Sequence, residues 1–261
     1  MPLRHWSDLK TTDFATLDPD RTVALLPVGA TEQHGPHLPL STDSVLAEGM
    51  ARLAATAATA PVLVLPTVTV AKSDEHIGFP GTLTLDGPTL LAVLEQIGAS
   101  VARAGVRRLV CLNAHGGNVP VLHLLARSLR LRHDMLVATA GWVSMGFPDG
   151  AVPAPEQTEG IHGGLVETAA MLHFRPDLVD MTQARYFRPA SADIAQRNQV
   201  LRMLGPVGLG WRAEDLHPDG AAGDARGATA ELGARLADHA ARRFGLLLDE
   251  VAALALPARR A

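Results

Sequence analysis

The stretch "VGATEQHGPHLPLSTDS", residues 28–44, places Glu32, His34, His37 and Asp43 between an apolar run and a segment rich in Ala, Leu and Met. Carboxylates and imidazoles together suit Zn²⁺, Mn²⁺ or Fe²⁺. In extended chain, alternate side chains point the same way, so Glu32 and His34 can face one pocket while Gln33 faces away. Asp43, beyond the turn through Gly35, Pro36 and Pro39, can swing back to meet them. The plain alternative is a surface Glu–His pair with Asp43 capping the helix that follows. Two further stretches carry similar chemistry. In "NAHGGN", His115 precedes Gly116 and Gly117, which let backbone or substrate approach closely. In "EGIHGGLVET", His162 and Glu167 flank the start of a helix, where a first-turn carboxylate is also favoured by the helix dipole. His37 lies in a proline-flanked turn and is left outside the ligand set.

The elements that would position these residues follow from periodicity. Arg21–Val28, Pro61–Val70, Arg108–Leu112 and Asp134–Ala140 are short apolar runs and read as strands. Asp43–Ala58, Gly87–Ala104, Asn118–Arg132, Leu165–His173 and Ala225–Ala253 read as helices. Strands alternating with helices predict a parallel sheet covered on both faces, and continuously apolar strands agree with that. Residues 148–158 read as a loop and residues 189–223 as loop-rich. A single domain over residues 1–261 is expected. In an open parallel sheet, ligands bind beyond the carboxyl ends of the strands. Glu32 and His34 follow the first strand, Lys72 to His76 the second, His115 the third and Trp142 the fourth, so several strand ends would deliver polar groups to one crevice.

Composition narrows the function classes. The chain has 261 residues, is 47% hydrophobic, and carries a formal charge of −4, which gives no basic field for nucleic acid. The Arg107–Arg108, Arg242–Arg243 and Arg259–Arg260 pairs read as solvated helix ends or tails. One cysteine, Cys111, sits within an apolar strand, so no disulfide framework exists and a reducing, cytoplasmic setting is expected. No apolar window approaches the ~18 residues of a membrane span. Neither a nucleotide-binding glycine loop nor a G-x-S-x-G elbow is present.

"GATEQHGPHLPLSTD", "SDEHIGFPGTLTL", "LNAHGGN" and "IHGGLVETAAML", in this order, resemble the creatininase (creatinine amidohydrolase) family, with "DGAAGDARGATAELG" as a further match. The resemblance covers about residues 20 to 240. It implies a three-layer α/β/α sandwich with a mostly parallel central sheet. It also implies two divalent metal ions, Zn and/or Mn with Fe possible. The implied activity is hydrolysis of a C–N bond in a small, cyclic amide, with short-peptide cleavage as the alternative. A non-catalytic metal-binding scaffold is the lesser one. Creatininase assembles as a hexamer, so a homo-oligomer is expected, with no nucleic-acid or membrane partner. By position, Glu32, His34, Asp43 and His115 match the family's metal ligands, with Asp43 bridging. Creatininase has a further Glu ligand where this chain has Gly117, and Glu167 is the expected substitute. His162 matches the histidine beside the substrate, and with Glu167 it is expected to be catalytic. Thr158 and Glu159 stand where creatininase has a Trp–Asp pair, which puts creatinine itself in doubt. Ser73, Gly116, Trp142, Glu159 and His162 are the expected substrate contacts.

Overall fold

In the computed structural model, which describes residues 3–205 and 207–255, the strands are Val23–Val28 (β1), Val62–Val64 (β2), Arg108–Asn113 (β3) and Leu136–Gly141 (β4). They form a parallel sheet in the order β2-β1-β3-β4. The helices Thr42–Ala57 (α1), Gly87–Arg103 (α2) and Val119–His133 (α3) are the crossovers. Ala154–Glu159 (α4), Leu165–Phe174 (α5), Ala190–Arg197 (α6), Ala213–Leu216 (α7) and Ala230–Ala253 (α8) follow.

The strands are apolar along their length because both faces are covered. Val23, Leu25, Val110 and Leu112 point to one face and pack with Leu46 and Met50 of α1, Ala169 of α5, and Phe244 and Leu248 of α8. Ala24, Leu26, Leu109 and Cys111 point to the other and meet Leu90 and Leu94 of α2, and Leu122 and Leu125 of α3. The result is the three-layer α/β/α sandwich. Cys111 is fully buried, and that burial pushes its thiol up to about 12, so it is core and not a nucleophile. Among the described residues, no helix is long and apolar enough to cross a membrane. The Arg259–Arg260 pair lies outside the described residues.

Chain direction across the sheet reverses at β1. Its crossover leads outward to β2, and the next leads back past it to β3. The crevice beyond the carboxyl ends of β1 and β3 is therefore the switch point where such sheets bind ligands. Both strands end there in polar loops.

Four expectations are corrected. The second strand is shorter than Pro61–Val70, because Pro66 has no N–H to give the ladder. Leu65 and Val68 still donate to β1, at 2.9 and 3.0 Å, but without a regular strand between them. Residues 148–158 are not all loop: α4 opens with prolines in its first turn, where the missing N–H costs nothing. The 189–223 stretch likewise contains α6 and α7. It is flanked by a two-stranded antiparallel pair, Tyr186–Phe187 (β5) with Gly223–Asp224 (β6). The last helix starts at Ala230 rather than Ala225, with the Thr229 hydroxyl accepting from Leu232 N–H at its N-terminus.

Gly29 couples the sheet to the site. A Cβ there would fall 2.6 to 2.8 Å from backbone atoms of Asp43 and Ser44, so the start of α1 sits directly on the end of β1. Gly29→Ala must push α1 away. Overpacking of this kind costs about 1–3 kcal/mol. The expected result is a lower denaturant midpoint with an unchanged m-value; an unchanged midpoint would refute the close approach.

Candidate metal centre

Glu32 and His34 lie on the loop after β1, Asp43 in the first turn of α1, His115 just after β3, and His162 and Glu167 on either side of the start of α5. Glu32, His34, Asp43, His115 and His162 are all buried. Asp43 does not cap its helix; Ser41 occupies that position. Its carboxylate is turned inward, with Oδ1 3.3 Å from His34 Nε2 and Oδ2 3.5 Å from His115 Nδ1.

Donor atoms of Glu32, Asp43 and His115 lie within 4.8 Å of one another, as do those of His34, His162 and Glu167. Asp43 touches both groups, through His115 in one and His34 in the other. Glu32, His76 and His162 form a third set within the same distance.

Hydrogen bonding sorts these histidines. His34 Nδ1–H donates to the Glu32 carbonyl at 3.1 Å, His115 Nε2–H to the Lys72 carbonyl at 2.8 Å, and His162 Nε2–H to the Gln33 carbonyl at 2.7 Å. Each ring thereby turns its other nitrogen toward the carboxylates, where it can offer a lone pair once deprotonated, which is how backbone acceptors orient metal-binding imidazoles. His76 is different. The Gln33 amide is fixed by accepting from Gly35 N–H and donating to the Gly220 carbonyl, so its N–H also points at His76 Nδ1, 2.8 Å away. Neutral His76 then carries its proton on Nε2, 3.3 Å from Glu32 Oε1. Its N–H side thus faces Glu32 as a charge contact, without the geometry of a hydrogen bond.

The donor set fits divalent cations. Both Glu32 oxygens, His34 Nε2 and Asp43 Oδ2 are buried and make no hydrogen bond of acceptable geometry. Buried polar atoms are seldom left so. Among the described residues, the only cationic groups paired with Glu32 and Asp43 are imidazoles.

The protonation pattern reflects this. Burial alone would lower His34, yet Asp43 beside it raises it to about 9. Burial likewise opposes the charge on His115, but Glu32 holds it well above the usual imidazole value. Burial opposes ionisation of Glu32 too, yet His115, His76 and His162 draw it well below the usual carboxylate range. His162 is pushed well down by burial and by His34 and His76. Shielding from water, reinforced by Asp43, brings Glu167 up to about 7 against the pull of His34.

The cluster forms part of the floor of a cleft of about 760 Å³, whose wall includes Lys72, Glu75, Gly116, Ile161, Leu204 and Trp211. Asn118 ties its loops together: its amide donates to the Gly29 carbonyl and to Asn113 Oδ1 and accepts from Lys72 N–H. Gly117 could not be larger, since a Cβ would overlap Glu75 Oε1 and His115 Nε2.

Of the expected substrate contacts, Gly116 and His162 line the cleft. Ser73 is buried behind it, with its Oγ 3.5 Å from His115 Nε2. Trp142 is a correction: it is buried in the hydrophobic core among residues of α5 and α8 and forms no wall of the cleft. Trp211 is the tryptophan on that wall, unmarked in the sequence because it lies in a stretch read as loop-rich. Glu159 is also displaced from the cleft wall and accepts a hydrogen bond from the Tyr186 hydroxyl at 2.9 Å. His37 stays out of the cluster, with its Nε2 3.0 Å from both the Gly163 carbonyl and the Thr168 hydroxyl. Gln33, expected to face away, is a correction: its amide reaches His76 and His162 at the site. His76 is among the polar groups expected after the second strand, with no role assigned to it from sequence.

The chain matches the creatininase (creatinine amidohydrolase) family model over residues 7–248. It is 33% identical to the "Mycofactocin precursor peptide peptidase" of Mycobacterium ulcerans over 236 residues, covering 88% of this chain and 85% of that one. With the protein of the same name from Mycolicibacterium smegmatis, identity is 37% over 175 residues, 66% of this chain and 65% of that one. Among solved structures, a manganese creatininase superposes with a TM-score of 0.76 at 27% identity, over 95% of this chain and 98% of that one. With the fold, the four sequence blocks and the family model in agreement, the chain belongs to the creatininase family of hydrolases.

Proposed function

We propose that this protein is a metal-dependent amidohydrolase that cleaves a C–N bond of an amide held in the cleft. The observation that carries the reading is the convergence of buried lone pairs from Glu32, His34, Asp43, His115 and His162, each histidine locked by a backbone acceptor. Glu32, Asp43 and His115 would hold one cation. Asp43, His34, His162 and Glu167 would hold the other. The mixed oxygen and nitrogen donors suit Zn²⁺ or Mn²⁺, and Fe²⁺ is compatible. Such a pair supplies a Lewis acid for the scissile carbonyl and lowers the pKa of water.

The chain's own groups do the rest. His76 presents its Nε2 proton toward Glu32 at 3.3 Å, and Gln33 keeps that proton there. His162 is read as a ligand rather than as a donor to substrate, because its one N–H is engaged by the Gln33 carbonyl. A proton must also reach the leaving nitrogen, and Glu167, the carboxylate on the second cation's side of the pocket, is the group we assign to carry it. Its Oε2 accepts from Gly163 N–H at 2.5 Å, which fixes its direction.

A short peptide is the second reading of the substrate, and two observations favour it over a small ring. The cleft, at about 760 Å³, lies in the upper part of the ~300–1,000 Å³ range of small-molecule sites. With Trp142 in the core, the aromatic enclosure expected for a flat ring is reduced to Trp211. The mycobacterial relatives named as peptide peptidases point the same way. A panel of lactams, formamides and short peptides separates the substrates. A homo-hexamer is the assembly we propose, and mass photometry reports it.

Asp43→Ala should keep the fold by circular dichroism, lose both cations and reduce hydrolysis to background. Chelation of the wild type should do the same, reversibly on adding Zn²⁺ or Mn²⁺. Undiminished turnover by metal-free protein would sink the mechanism.

Metal uptake should also release protons. Below about 9, His34 of the metal-free protein is protonated and must lose that proton to bind. Affinity should therefore rise with pH, by up to about tenfold per unit for each proton released. Titration calorimetry at pH 7 in buffers of different ionisation enthalpy measures this directly; identical heats in all buffers would contradict it.

A further inference from the structure

Glu156 lies in α4, is 7% exposed, and does not line the cleft over the candidate metal centre. No Lys, Arg or His pairs with it among the described residues. Its two carboxylate oxygens are used separately. Oε1 accepts from Leu165 N–H at 2.6 Å, and Oε2 accepts from Asp224 N–H at 2.9 Å.

Both partners lead to the same half of the site. Leu165 is the first residue of α5, whose N-cap position is held by Gly164, with no side chain to cap it. Glu156 therefore supplies from another helix the acceptor that a capping side chain ordinarily provides. That first turn carries Glu167. Asp224 belongs to β6, just after Ala222, which exchanges backbone hydrogen bonds with His162 in both directions at 2.7 and 3.1 Å. One carboxylate thus fastens the helix that bears Glu167 to the segment that aligns His162.

The surroundings are shaped to it. A Cβ at Gly160 or Gly164 would overlap Glu156 Oε1, and one at Gly223 would fall 2.8 Å from it. Backbone closes on this oxygen from three sides, so the group can be neither enlarged nor turned.

We propose that Glu156 is a positioning residue that sets the His34–His162–Glu167 half of the centre while leaving the Glu32–Asp43–His115 half alone. This role presupposes that His162 and Glu167 hold the second cation. Glu156→Gln keeps the size but replaces one acceptor with an NH₂ group, so either Leu165 N–H or Asp224 N–H then faces a donor. Glu156→Asp keeps both acceptors on a shorter arm.

The test is metal retention by the purified full-length protein during dialysis against graded chelator, with circular dichroism as the folding control. Two Zn²⁺ per chain are expected in the wild type. Glu156→Gln should release one of them at about 10- to 100-fold lower chelator and hold the other as the wild type does. Its kcat should fall with little change in KM, and Glu156→Asp should restore much of the loss. Equal retention of both ions by Glu156→Gln, or equal loss of both, overturns the proposal. If Glu156→Gln does not fold, Glu156→Asp decides, with selective weakening of one ion expected. A wild type that binds only one ion would instead overturn the reading of the second half-site.

Discussion

Two fully buried carboxylates, Glu32 and Asp43, face one another's neighbourhood, and among the described residues no lysine or arginine neutralises them. Burying ionised groups without full compensation costs several kcal/mol each. In the metal-free protein the compensation comes from protons on His34 and His115, drawn up by these same carboxylates. A divalent cation at each cluster would replace those protons with stronger positive charge and satisfy the lone pairs that hydrogen bonds leave open. The architecture around the site can be understood as what keeps this charge imbalance from relaxing.

Relaxation is prevented at each donor by a different part of the chain. The sheet brings the ends of β1 and β3 together at the switch point. Gly29 lets α1 settle onto that end with Asp43 in its first turn. Asn118 locks three loops with its single amide. Backbone carbonyls of Glu32, Lys72 and Gln33 fix the three ring orientations. Such second-layer contacts govern metal affinity nearly as strongly as the ligands do. They also account for the density of glycine in this region, since close backbone approach leaves no space for side chains.

Much of this was legible in the sequence. The four parallel strands were visible because a strand covered on both faces is apolar along its whole length. Glu32, His34, Asp43 and His115 stood out as polar residues after strand ends, but local spacing left a polar turn equally open, and the family resemblance is what marked them as ligands. What was hidden depends on contacts between distant segments. The tautomer of His76 is set by Gln33, and Gln33 is itself oriented by Gly220. Trp142 follows a strand end just as His115 does, yet its ring turns into the core, and nothing in its neighbours along the chain records that direction. The prolines of α4 look like loop punctuation, though in a first turn they start a helix. That misreading concealed Glu156 as well, a buried carboxylate inside what seemed a polar loop.

The central claim is that two cations sit on either side of Asp43. Crystallography of the metal-loaded protein, with anomalous data at the absorption edge of the bound metal, tests it most directly. Two peaks are predicted, one among Glu32, Asp43 and His115 and one among Asp43, His34, His162 and Glu167, with His76 near neither as a ligand. A single peak, or a cation bound through His76, would contradict the account.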